Sequence, residues 1–228
     1  MASFRCAGDP AAAAAELLVP VLERIDGERG RVRLAVAGGS AAAALGVLRR
    51  GLPAGVWRRL MLTWVDERCV PLDDPQSNRG SAYRDGHLDP ASPPGLELPL
   101  YIDGETPPEA CARVTAALRG EFQGGLDALL LGMGEDGHIA SLFPGRPFER
   151  IGAPPVFAVP DSPKPPSRRI TLALSTLATA PCSVLVAAGA AKRDALERLA
   201  QGDPELPGSA LAGLTVITDP AGCRSAPV

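Results

Sequence analysis

The chain has almost no lysine: 21 of its 23 basic residues are arginines, and Lys164 and Lys192 are the exceptions. Histidine is equally scarce, with only His87 and His138. Arginine is always charged and carries a planar guanidinium group with several hydrogen-bond donors, whereas lysine is a compact cation that can lose its proton. Two lysines can remain by chance, or because each has a task that arginine cannot perform, so their positions decide between these interpretations.

Other absences exclude whole classes of protein. With 26 acidic residues against 23 basic ones, the net charge is -3, whereas nucleic-acid-binding surfaces bring a basic excess. There is no polybasic arm for a membrane surface, no run of eighteen apolar residues, and no signal-peptide pattern over residues 1–5. Hydrophobic residues make up 46% of the chain, which is enough for a folded core. We therefore predict a cytoplasmic protein with no nucleic-acid or membrane partner.

The cysteines form no closely spaced pair. They are Cys6, Cys69, Cys111, Cys182 and Cys223. An odd, dispersed set argues against a disulfide framework and against a zinc site. We therefore predict buried thiols in a reducing compartment and no metal.

Strand-like and helix-like segments alternate along the chain, and this alternation predicts an α/β fold. The predicted strands are residues 32–37, 60–65, 127–131, 169–174, 183–187 and 214–218, and the predicted helices are residues 11–25, 41–50, 109–121 and 190–199. This order is typical of a Rossmann-like, largely parallel sheet flanked by helices, here as a single domain over residues 1–228. Pro20 is expected to kink or end the first helix, and the proline-rich residues 89–99 and 153–166 are expected to be loops.

Polar clusters follow four of the predicted strands. They are residues 38–40, 66–68, 132–138 and 189–192. In parallel sheets, the loops after the carboxyl ends of the strands build the ligand crevice. The sequence therefore predicts a small-molecule site at this edge of the sheet.

The first two clusters suit an anionic, polar ligand. Gly38, Gly39 and Ser40 join a strand to a helix, where glycine allows close approach to the backbone and the helix start attracts phosphate. The same glycines also occur where only packing requires them, and they form neither a dinucleotide fingerprint nor a Walker A loop. Asp66 and Arg68, two apart on an extended segment, face the same side and either bind substrate or form a solvated ion pair.

The scarce basic residues fall in the other predicted loops. His138 follows the glycine-rich residues 132–137, at the expected start of a short helix, where it can exchange protons near neutral pH or simply cap the helix. Lys164 lies between prolines, and Lys192 lies in the first turn of the helix after Gly189. Two cations that converge from different loops suit a phosphorylated or acidic substrate, although each can also be an ordinary exposed lysine.

Two further residues that could take part in catalysis, His87 and Cys69, are predicted to have structural roles instead. His87 lies in a polar stretch with no glycine-rich setting, so we predict a structural role. Cys69 follows Arg68 directly, which makes a Cys–His nucleophile conceivable, but its apolar neighbours favour a buried, inert thiol.

Taken together, these motifs resemble the 6-phosphogluconolactonases, which share the glucosamine-phosphate isomerase-like fold. The matching blocks are residues 64–75 with 77–78, residues 131–138 with 140–145, residues 162–166 with 169–171, and residues 189–192. They are collinear and span most of the chain. Departures are Ala41 and Ala42, where the family usually has Thr-Pro, Ile139, where it favours Thr, and the short, atypical residues 146–155. Ile at that position also occurs in the related deaminases.

The resemblance implies a metal-free and cofactor-free hydrolysis of 6-phospho-D-glucono-1,5-lactone to 6-phospho-D-gluconate in the oxidative pentose phosphate pathway. It implies His138 as general base on water and Asp66 as the group that orients the water, the substrate hydroxyls or His138. The residues implied to bind the phosphate or ring oxygens are Gly38, Gly39, Ser40, Arg68, Lys164, Arg169 and Lys192. The alternatives are a sugar-phosphate isomerase or deaminase of the same fold and a non-catalytic sugar-phosphate sensor. The expected partner is the phosphorylated lactone, and the expected state is a monomer or weak homo-oligomer.

Overall fold

Short apolar strands form one parallel sheet at the centre of the molecule. The computed structural model describes residues 2–147 and 154–223. The strands of this sheet are β1 (Ser3–Cys6), β2 (Val32–Val36), β3 (Leu60–Trp64), β5 (Leu96–Leu98), β6 (Ala128–Gly132), β9 (Cys182–Val186) and β10 (Leu214–Thr218). Their order is β1-β10-β9-β6-β2-β3-β5, and every neighbouring pair is parallel. The predicted α/β class with a largely parallel sheet is confirmed.

A second, antiparallel sheet lies beside the first. It consists of β4 (Asp66–Arg68), β7 (Val156–Val159) and β8 (Arg169–Leu172) in the order β4-β8-β7. Asp66–Arg68 is extended, as expected. Residues 89–99 and 153–166 were expected to be loops. This expectation was wrong in part, because β5 and β7 are strands of three or four residues that form by pairing with β3 and β8.

Helices cover the parallel sheet. They are α1 (Pro10–Arg29), α2 (Ser40–Gly51), α3 (Ala54–Trp57), α4 (Asn78–Arg84), α5 (Pro107–Arg119), α6 (Leu174–Leu177) and α7 (Arg193–Ala200), with 3-10 turns at Ala190–Lys192 and Pro207–Ala210. Asp9 caps α1 through its carboxylate, which accepts from the backbone N–H groups of Ala11 and Ala12. Pro20 does not end α1. It lies on the exposed side, while Leu18 and Leu22 on either side are fully buried and hold both halves against the core.

The terminal strand carries a covalent link that the cysteine spacing did not predict. Cys6 of β1 forms a disulfide with Cys223, whereas Cys69, Cys111 and Cys182 are free and half-buried rather than buried as expected. A pairing across 217 residues leaves no local spacing signal, so the expectation of thiols alone was wrong. Cytoplasmic location stays a prediction, and the link weakens the argument for it from cysteine usage.

The described part of the chain has no helix that is both long and apolar enough to cross a membrane. Of the atypical residues 146–155, residues 148–153 lie outside the described residues.

The sheet order brings the four predicted polar clusters together. Strands β9, β6, β2 and β3 are consecutive neighbours, and the clusters 189–192, 132–138, 38–40 and 66–68 follow them in that order. Because parallel strands end at the same edge, these four loops form one continuous border above the sheet.

Candidate active site

A cleft of about 350 Å³ opens at this border. Eight of the nine predicted site residues line it: Gly38, Gly39, Ser40, Asp66, Arg68, His138, Arg169 and Lys192. The ninth, Lys164, is not part of the lining and contacts Asp136. The cleft joins an acid–base end with a cationic end.

His138 is paired with a carboxylate at the acid–base end. Its Nδ1 lies 2.6 Å from Oδ1 of Asp136, and its ring packs on Phe143 with the centroids 4.6 Å apart. An ionised carboxylate only accepts hydrogen bonds, so Nδ1 carries the proton and Nε2 remains for water or substrate. His138 does not begin a helix as expected: residues 139–142 form a bridged turn, with Ala140 at a φ of 50°. The apolar run there packs as a turn rather than continuing for a helical length.

The two pKa values favour a neutral base beside a charged partner. Burial lowers the pKa of His138 below its usual range and outweighs the opposing effect of Asp136. Burial also raises the pKa of Asp136, but hydrogen bonds and charges from His138 and Lys164 bring it down to about 2. At pH 7 the imidazole is therefore neutral and the carboxylate ionised, which is the state that can accept a proton from water.

Glycines shape the loop that holds this pair. A Cβ at Gly134 would overlap the ring of His138 and the carboxylate of Asp136. Gly137 has a φ of +88°, and a Cβ there would meet the side chain of Leu206. The glycine-rich sequence is therefore required by close approach at one position and by backbone conformation at the other.

Asp66 lies buried in the cleft wall and is held by three side chains. Its Oδ2 accepts a hydrogen bond from Ser141 Oγ at 2.6 Å and lies 3.7 Å from Nη1 of Arg169. Its Oδ1 accepts from Nδ2 of Asn78 at 3.3 Å. The carboxylate is thus fixed in place by two neutral donors and one cation, as an orienting role requires.

Asn78 and Ser141 were not singled out in the sequence, although both lie within the matching blocks. Asn78 begins α4, and its Oδ1 occupies the space where a side chain on Gly38 would lie. Glu67 fixes this segment by accepting from the backbone N–H groups of Asn78 and Arg79, each at 2.8 Å. Gly38 therefore serves the packing of Asn78, in addition to its predicted place beside the ligand.

The cationic end combines a helix start with two side chains. Gly39, at a φ of 63°, precedes α2, and Ser40 donates its hydroxyl to the carbonyl of Val186 at 3.0 Å. The first amides of α2 have no intrahelical acceptor and lie at the positive end of the helix dipole. Arg68 donates from Nη1 to the carbonyl of Gln76 at 2.6 Å, and its buried Nε has no protein partner among the described residues.

Lys192 completes this end. Its half-buried side chain forms no hydrogen bond or ion pair with residues 2–147 or 154–223, and burial lowers its pKa. A helix start, Arg68 and an unpaired lysine around one cleft form a site for an anionic group.

Arg169 and Lys164 are committed to protein partners. Arg169 is 3% exposed and donates to the carbonyls of Lys164, Pro165 and Pro166 at 3.0, 3.2 and 3.1 Å. Lys164 places its Nζ 3.1 Å from Asp136. Contact of either residue with a substrate stays a prediction, whereas their support of the neighbouring loops is what the structure shows.

His87 and Cys69 both lie in surroundings that fit a structural role, although Cys69 is half-buried rather than buried as expected. His87 packs against Gly46 of α2, outside the cleft lining. Burial raises the pKa of the Cys69 thiol to about 11, so it is protonated and a poor nucleophile at neutral pH. Within the described ranges, no group of three or more His, Cys, Asp or Glu side chains converges to hold a metal ion.

The fold and the cleft define an α/β protein with a small-molecule site at the carboxyl edge of a parallel sheet. The chain belongs to the family of glucosamine-6-phosphate isomerases and 6-phosphogluconolactonases, whose model matches residues 7–217. It is 39% identical to the 6-phosphogluconolactonase of Homo sapiens over 197 residues, which cover 79% of this chain and 73% of that protein. It is 35% identical to that of Caulobacter vibrioides over 205 residues, covering 87% and 86%.

Solved structures share the fold. A 6-phosphogluconolactonase from Shewanella baltica superimposes with a TM-score of 0.82 at 22% identity, covering 96% of this chain and 98% of that one. A monomeric glucosamine-6-phosphate deaminase superimposes with a TM-score of 0.75 at 20% identity, covering 97% and 98%. These two likenesses support the architecture only, because the same fold serves both activities.

Proposed function

We propose that this protein hydrolyses 6-phospho-D-glucono-1,5-lactone to 6-phospho-D-gluconate in the oxidative pentose phosphate pathway. The observation that carries the proposal is the His138–Asp136 pair in the same cleft as the cationic end of α2, Arg68 and Lys192. Relatives named 6-phosphogluconolactonase at 39% and 35% identity support the same substrate.

In the proposed reaction, neutral His138 removes a proton from a water molecule, which attacks the lactone carbonyl carbon. The tetrahedral intermediate then collapses, the bond from this carbon to the ring oxygen breaks, and His138 returns its proton to that oxygen. Asp136 stabilises the imidazolium that forms between the two steps and fixes the ring tautomer. A lactone is an activated ester, so the proposed route needs neither a covalent nucleophile nor a metal.

The rest of the cleft orients the substrate. The first amides of α2, Arg68 and Lys192 bind the phosphate or the ring oxygens. Asp66, held by Ser141 and Asn78, accepts hydrogen bonds from substrate hydroxyls or from the attacking water. This division assigns phosphate recognition and proton transfer to different groups of one cleft.

A coupled assay tests the proposal. Glucose 6-phosphate and its dehydrogenase generate the lactone, and 6-phosphogluconate dehydrogenase reports the product as a second phase of NADPH formation. Adding this protein is expected to accelerate the second phase above spontaneous hydrolysis. No acceleration would refute the proposal. Ammonia release from glucosamine 6-phosphate would favour the deaminase alternative, and tight 6-phosphogluconate binding without hydrolysis would favour a sensor.

Replacing Lys192 with methionine is expected to raise KM for the lactone by about 10- to 100-fold, with a smaller effect on kcat. The reason is the loss of one hydrogen bond to a charged group, worth about 1.5–3 kcal/mol. Initial rates over a range of lactone concentrations measure it. Lys192→Arg is the matched variant: it keeps the charge, and a remaining defect would show that a compact donor is required. A wild-type KM in Lys192→Met would contradict the assignment.

A further inference from the structure

We propose that Lys164 is a positioning residue for the His138–Asp136 pair, and that it acts through the carboxylate rather than by binding the substrate phosphate. This inference rests on the proposed function only for its kinetic consequence. Nζ of Lys164 lies 3.1 Å from Oδ1 of Asp136, and this is the same oxygen that accepts from Nδ1 of His138 at 2.6 Å. One carboxylate oxygen therefore links the base to a lysine that is not part of the cleft lining.

The segment that carries Lys164 is held in place on both sides. Ser162 Oγ donates to the carbonyl of Lys164 at 2.9 Å and accepts from its N–H at 3.2 Å. Arg169 donates to the carbonyls of Lys164 and Pro165. A backbone fixed in this way delivers the ammonium group to one place and reduces the entropy lost when it binds Asp136.

Arg169 connects this segment to Asp66 in the cleft lining. Its Nη1 lies 3.7 Å from the carboxylate of Asp66, and its guanidinium lies over the ring of Phe143, 5.8 Å from the centroid. The ring of Phe143 in turn packs on His138. The same arginine thus holds the lysine loop, Asp66 and the aromatic support of the base in one arrangement.

The charges around His138 give Lys164 a defined effect. Asp136 and Asp66 raise the pKa of the imidazole, and Lys164 lowers it, against a background of burial that also lowers it. Lys164 opposes the imidazolium by its charge and also competes for the oxygen that would stabilise it. Removing Lys164 therefore favours protonation of His138, and a protonated imidazole cannot accept a proton from water.

The chain itself offers a direct test, because it has only two histidines. Ring-proton NMR of the substrate-free protein resolves the titrations of His138 and His87, with His87 as an internal reference. Lys164→Met is expected to move the His138 titration to higher pH and to leave that of His87 in place. Lys164→Arg keeps the cation and is expected to restore the wild-type titration. Arg58→Met is the control for a general change of charge. It removes an exposed cation that lies just before the amino end of β3, whereas the cleft lies at the carboxyl ends of the strands.

Kinetics separate positioning from substrate binding. In Lys164→Met, kcat at pH 6 relative to pH 8 is expected to fall about three- to tenfold below the wild-type ratio, the size of effect a nearby charge has in a partly exposed site. KM is expected to change less than about twofold, whereas loss of a hydrogen bond to the phosphate would raise it about tenfold or more. A raised KM with an unchanged His138 titration would overturn the proposal.

The two readouts also keep this inference distinct from the proposed function. The side chain of Lys164 is 40% exposed, and a thermal melt checks that Lys164→Met is folded. A shifted His138 titration in a protein that does not hydrolyse the lactone would refute the proposed function and uphold the link from Lys164 to the pair. An unshifted titration in a folded, active variant would refute the link alone.

Discussion

Replacing His138 with alanine is expected to lower kcat for the lactone by about 10²–10⁴-fold, the usual contribution of a general base. The variant keeps the cationic end of the cleft, so KM is expected to change much less than kcat. The reason is that Nε2 of His138 is the neutral acceptor in the cleft, with its partner nitrogen bound to Asp136. The measurement is the coupled assay on freshly made lactone, with the spontaneous rate subtracted.

The second histidine supplies the matched control. His87 packs against Gly46 of α2 and is not part of the cleft lining, so His87→Ala is expected to retain the wild-type rate. Comparable losses in both variants would point to a general effect of removing a histidine on the fold. Undiminished turnover in His138→Ala would disprove the proposed base.

The sequence predicted the location of the site because strand ends are a local signal. Each of residues 38–40, 66–68, 132–138 and 189–192 follows a short apolar run that ends in glycine or in charge. The rule that parallel strands present their carboxyl ends at one edge then places these clusters together. No long-range information is needed for that step.

The partners of the site residues were harder to predict because they depend on pairing between distant segments. Ser141 bonds to Asp66 across 75 positions, and Arg169 reaches it only because β8 pairs with β4. Lys164 was assigned to the substrate because its charge was visible in the sequence, whereas its contact with Asp136 was not. Charge and spacing identify candidates, but tertiary contacts decide which group each one serves.

Two differences between the observed structure and the expectations from the sequence have the same origin. Pro20 is compatible with α1 because buried neighbours on both sides supply more stabilisation than the missing hydrogen bond removes. The Cys6–Cys223 link depends on β1 and the segment after β10 lying side by side, which follows from the sheet order alone. Neither could be predicted without the arrangement of the whole sheet.

Replacing Gly134 with alanine is expected to lower kcat by about 10²-fold or more while the protein stays folded. Gly134 is not in the left-handed region, so alanine fits its backbone, but the new Cβ would overlap both His138 and Asp136. The pair must separate or rotate, and a displacement of about 1 Å in a catalytic group costs about 10²-fold. The coupled assay gives kcat, and His138 NMR shows whether the ring has left its partner.

Gly27→Ala is the matched control for this substitution. Gly27 lies in α1, where an added Cβ would meet nothing within 4 Å. Alanine there is expected to raise stability by about 0.5–1 kcal/mol, because glycine is the poorer helix former, and to leave kcat unchanged. A fully active Gly134→Ala would mean that the loop relaxes around the methyl group without disturbing the pair, so the close approach at Gly134 would not be what fixes the base. A folded but inactive variant beside an active Gly27→Ala would instead assign the loss to the geometry of His138 and Asp136, since the atoms nearest to the new Cβ belong to these two side chains.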